Sequence, residues 1–116
     1  MENIQRVNDL HHQAMASAEQ AFIAKWRGEL EIALVHFRRA YELEAEAARL
    51  VVYTEPTRSI LLRSAASLAY HCGEMRESEK LIGLALAGDP PSEIAEELRD
   101  LMRLVLDALR EKAAGD

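Results

Sequence analysis

Apolar residues recur at steps of three and four along most of the chain, and no stretch alternates at steps of two. That spacing lays one apolar stripe on a helix and predicts an all-α protein. Five helices are expected. The first covers about 3–27, with Ile4, Val7, Leu10, Ala14, Ala18, Ala21 and Ala24 on its stripe. The second covers about 29–53, through Leu30, Ala33, Phe37, Ala40, Ala47 and Val51. The third spans about 56–72, and the fourth about 74–87 with Ser78, Leu81, Ile82 and Ala85 on one face. The fifth runs to about 113 and carries Ile94, Leu98, Leu101, Met102, Val105 and Leu109, with Leu104 and Leu106 off that stripe.

The breakers are few. Gly28 and Gly73 interrupt the pattern, and "TEPT" at 54–57 and "GDPP" at 88–91 stop and restart it. Pro56 biases Glu55 away from the α region and suits the first turn of the next helix. Ser92 or Asp89 is expected to accept the first free N–H groups of the fifth helix. The tail "AAGD" is expected to fray.

Residues 26–44, "WRGELEIALVHFRRAYELE", and 71–86, "HCGEMRESEKLIGLAL", place Gly-Glu at the same point before a periodic run. With the glycines aligned, Gly28, Ala33, Phe37 and Ala40 match Gly73, Ser78, Ile82 and Ala85. Small, large, small at these offsets suits a close helix crossing. Ahead of the second glycine stand Leu62, Ala66 and Ala69; ahead of the first stand Ser17, Ala21 and Ala24. In these positions, over roughly residues 14–90, the chain resembles the tetratricopeptide repeat family. Ser17 and Gln20 depart from that family's large apolar residues. The resemblance implies two antiparallel helix hairpins, at 1–54 and 55–89, and a capping helix at 90–113, with 114–116 as a tail.

The two glycines lie 45 residues apart, against a family period of about 34. The excess of 11 approximates three helical turns. It therefore predicts an elongated first hairpin whose second helix continues to Tyr53.

In the resembled family the first helix of each repeat lines a concave groove. Carried over by position, that face holds Met15, Ala18, Glu19, Phe22, Lys25 and Trp26 in the first copy. In the second it holds Ile60, Arg63, Ser64, Leu68, His71 and Cys72. Members that clamp a peptide carboxylate use asparagines there, and neither set has one. The candidate partner-binding residues are Met15, Phe22, Lys25, Trp26, Ile60, Arg63 and Leu68, with Lys25 and Arg63 steering an acidic segment. Phe22 and Trp26 have the aromatic character of binding anchors; packing between adjacent helices is the competing role.

Composition narrows the function. The 116 residues are 49% hydrophobic and 29% charged, with 5% aromatic and a formal net charge of −6. A chain of this length can bury a core without metals or disulfides. Arg38-Arg39 is the only basic doublet, so no basic face for nucleic acid is expected. A lone cysteine and the absence of a signal-peptide pattern or an apolar run of membrane-spanning length point to the cytoplasm.

The histidines are His11, His12, His36 and His71, and none forms a HExxH or CxxC-linked set. His71-Cys72 are helix neighbours that do not face each other, which suits packing better than catalysis. Glu42, Glu44 and Glu46 read as solvated, with Glu42 near Arg38 or Arg39. No cofactor or metal is expected. The reading is a non-enzymatic interaction module that binds a partner helix or peptide. The alternatives are a homodimerising assembly protein, and a small helical-bundle metal binder or enzyme.

Overall fold

A computed structural model describes residues 2–115. The helices are α1 (Glu2–Trp26), α2 (Leu30–Arg49), α3 (Thr57–His71), α4 (Met75–Ala87) and α5 (Ser92–Gly115). No strand occurs among the described residues. Each helix packs on the next in sequence, and α5 also packs on α3. Arg6 reaches Glu46 at 3.6 Å and His11 reaches Glu44 at 2.9 Å. The start of α1 therefore lies beside the end of α2, and the two run antiparallel.

The two glycine turns share one geometry. Gly28 has φ +78° and Gly73 has φ +81°, in the left-handed region that side chains resist. The Glu29 N–H donates to the Ala24 carbonyl at 2.9 Å, and the Glu74 N–H donates to the Ala69 carbonyl at 2.9 Å. The glycine N–H groups donate to Lys25 at 3.1 Å and Tyr70 at 3.0 Å. Both turns are thus Schellman motifs, which satisfy carbonyls that a helix end leaves free.

The aligned flanking residues also share an environment. Ala21 and Ala66, Ala24 and Ala69, Ala33 and Ser78, Phe37 and Ile82, and Ala40 and Ala85 are all buried. Ser78 keeps its hydroxyl satisfied by donating to the Ala66 carbonyl at 2.7 Å. The small residues let helices approach, and Phe37 and Ile82 fill the space beside them.

Several boundaries differ from the sequence expectation. The second helix ends at Arg49, not at Tyr53. Leu50 and Val51 N–H groups turn back to Ala47 and Ala48, and 50–56 forms a linker of turns. Val51, Val52, Tyr53 and Thr54 are weak helix formers placed just before a proline. Between the two glycines, α2 takes 20 residues, against 13 in α4, and the linker follows it.

Pro56 stands at the N-cap of α3 rather than inside it. The Glu55 carboxylate accepts the Ser59 N–H at 3.0 Å and the Ser59 hydroxyl at 2.7 Å.

At the other end, the Ala95 N–H donates to the Pro91 carbonyl at 2.9 Å, so Ser92 is the first residue of α5 and not its cap. The helix continues through Ala113, Ala114 and Gly115, carried by good helix formers. The expected frayed tail is helical that far, and Asp116 lies outside the described residues.

Candidate functional site

The groove forms where α3 lies between α1 and α5. A cleft of about 430 Å³ is lined by Met15, Ala18 and Phe22 of α1, Arg63, Ser64, Ser67 and Leu68 of α3, and Glu97 and Leu101 of α5. Four of the sequence candidates, Met15, Phe22, Arg63 and Leu68, meet here. Phe22 continues into a second depression with Lys25 and Trp26. Ile60 is partly exposed on α3 but lines neither depression. Leu68 is a buried residue at the base.

No match was found among family models, curated proteins or solved structures. The geometry must carry the functional reading.

Trp26 is 92% exposed, and Phe22 is 45% exposed. They play different parts. Phe22 meets the buried Phe37 edge-on at 4.9 Å and His71 edge-on at 5.2 Å. His71 stacks on Phe37 at 5.5 Å, with 20° between the rings. Phe22 is therefore anchored in the core by one edge and open on the other, whereas Trp26 is covered by nothing in the chain. A preorganised aromatic beside an uncovered one supplies contact area at low conformational cost.

The electrostatics differ from expectation at Arg63. Its guanidinium donates to Glu97 at 2.9 Å, so it enters the cleft as half of an ion pair. Lys25 is exposed and forms no ion pair among the described residues. Burial pushes the His71 imidazole below its ordinary value, and nearby Lys25 pushes it the same way. Burial raises the Cys72 thiol, and its sulfur lies 3.6 Å from the Leu34 carbonyl.

One wall of the site, and a buried pair away from it, were not found by sequence reasoning. Glu97 and Leu101 form a groove wall from a helix read only as a cap. Glu44 is not solvated: it is fully buried, and His11 Nδ1 donates to its Oε1 at 2.9 Å. Arg38 pairs with Glu74 at 2.6 Å instead of Glu42, and donates to the Tyr41 hydroxyl at 3.2 Å. Among the described residues, no three His, Cys, Asp or Glu side chains cluster as a metal site would require. Among the described residues, no helix is long and apolar enough to cross a membrane.

Proposed function

We propose that the chain is a non-enzymatic interaction module of tetratricopeptide-like build, with an elongated first hairpin, a second hairpin and α5 as a cap. It receives an amphipathic helix or extended peptide in the groove between α1, α3 and α5. The observation that carries this reading is Trp26, uncovered beside the half-open Phe22 at the groove mouth. Exposed apolar contacts that continue into a cleft mark interaction surfaces more often than scattered ones do. Met15, Phe22, Leu68 and Leu101 supply the apolar lining, and Met15 adapts its shape to what it meets. Lys25 favours an acidic residue in the bound segment, and the Arg63–Glu97 pair offers polar contacts at the rim. A cytoplasmic setting fits the buried free thiol.

The test starts from peptides selected on the immobilised native protein from a random display library. Their affinities are then measured for the native protein and for Trp26→Ala. Loss of about 2 kcal/mol or more is expected for an anchor residue. Equal affinity in a variant of unchanged helicity removes Trp26 from the site.

Leu30, Ile32 and Val35 on α2 are also exposed, and this favours homodimerisation as a second reading. Light scattering over a concentration series separates the two, since a monomer of 13.0 kDa throughout excludes the dimer.

A further inference from the structure

A second cleft, of about 300 Å³, opens between α2, α3 and α4 and shares no residue with the groove. Its cations are Arg49, Arg58 and Lys80, and its one acid is Glu77. This concentration is unusual for a chain of net charge −6. Seven arginines are spent on ion pairs elsewhere, and none of these three cations is paired among the described residues.

Arg58 is the central group. Its Nη2 donates to the Leu84 carbonyl at 2.8 Å, which caps a free carbonyl at the end of α4. That role occupies one side of the guanidinium. Nη1 packs against Gly88, outside this cleft, and has no hydrogen-bond partner among the described residues. The rest of the lining is apolar, chiefly Val52, Leu81 and Leu84.

We infer that this cleft binds a small organic carboxylate with an apolar body, such as a medium-chain fatty acid. The carboxylate meets the positive rim formed by Arg49, Lys80 and the guanidinium of Arg58. The hydrocarbon lies along Val52, Leu81 and Leu84. A cleft of this volume has room for a ligand of about ten heavy atoms. A bare phosphate would satisfy the charge and leave the apolar wall wet.

Octanoate, the neutral octanamide and inorganic phosphate are titrated into the isotope-labelled chain, with backbone amide shifts as the readout. Octanoate should shift Ala48, Leu81 and Leu84 to saturation at millimolar concentrations. Octanamide and phosphate should each bind about tenfold more weakly or worse. Because Arg58→Met also removes the α4 cap, the test variant is Arg49→Met with Lys80→Met, both at exposed positions. It should lose about tenfold in octanoate affinity while keeping native helicity. The inference is overturned by octanamide or phosphate binding as tightly as octanoate, or by unchanged affinity in the double variant. Absence of shifts, or shifts centred on Met15 and Phe22, overturns it equally.

Discussion

Removing the imidazole of His11 should destabilise the protein through Glu44. The Glu44 side chain is fully buried, and its Oε2 has no hydrogen-bond partner. Among the described residues His11 is its one partner, with a side chain 40% exposed. His11→Ala therefore leaves a buried carboxylate with neither oxygen matched. Breaking a buried pair in this way costs about 3–5 kcal/mol when water cannot follow. Here the vacated space opens to solvent on the exposed side of His11, and water recovers part of the loss. The expected cost is about 2 kcal/mol.

Glu44→Met keeps the unbranched volume and removes the charge. It should leave stability unchanged or raise it by about 1 kcal/mol. In that background His11→Ala should cost no more than about 0.5 kcal/mol, so the two sites couple by about 1.5 kcal/mol. Urea unfolding followed by far-UV circular dichroism measures all four proteins at one pH; the solvent-exposed Trp26 would report poorly on the core. Equal His11→Ala costs in both backgrounds would refute the reasoning. So would a Glu44→Met variant that loses more than about 2 kcal/mol.

Two other expectations can be checked on the same material. His71 takes up its proton at lower pH in the folded chain than the ordinary value of about 6.5. The unfolded state therefore binds more protons in that interval, and its contribution to stability falls as pH drops through about 6.5 and levels off below the folded value. His71→Phe should remove this slope, and a native-minus-variant difference that stays constant between about pH 8 and pH 5 contradicts it. Gly28→Ala and Gly73→Ala should each cost about 1–2 kcal/mol, and by similar amounts. No atom lies within 4 Å of either added Cβ, so the cost is conformational alone; widely unequal losses in thermal unfolding would show that the two turns are not equivalent.

The number of helices and most of their buried stripes could be read from the sequence because a period near 3.6 reports directly on which face is covered, but Ile4 and Leu30, near helix starts, are exposed. The shared burial of Phe37 and Ile82 follows from the same pattern. The end of α2 could not, since Val51 continues the apolar register and only weak propensities ahead of Pro56 argue for a stop. Glu44 was misread by residue type. Its position, four after Ala40 and three before Ala47, places it on the buried stripe, and that register was the available signal. Pairing with His11 depends on how α1 docks, which no local pattern encodes. At the groove, the positions of Met15 and Phe22 on α1 were legible. The exposure of Trp26 was not, because the local pattern at the end of α1 does not say what packs over it. Arg63 was taken as a free charge for want of any sequence link to Glu97.

The placement of α2 and the 50–56 linker between the two glycine turns has a consequence for how such a chain tolerates changes in length. Both turns lie outside that stretch, so neither Schellman motif senses its length. Removing one turn of α2 would draw the linker back by about 5.4 Å while returning the same face inward. It would carry Arg49 and Val52 away from Arg58 and dismantle the α2–α3–α4 cleft. The α1 and α5 walls of the other groove would keep their own residues. Length variation in this one stretch could thus create or erase one surface of the molecule while the opposite surface keeps its composition.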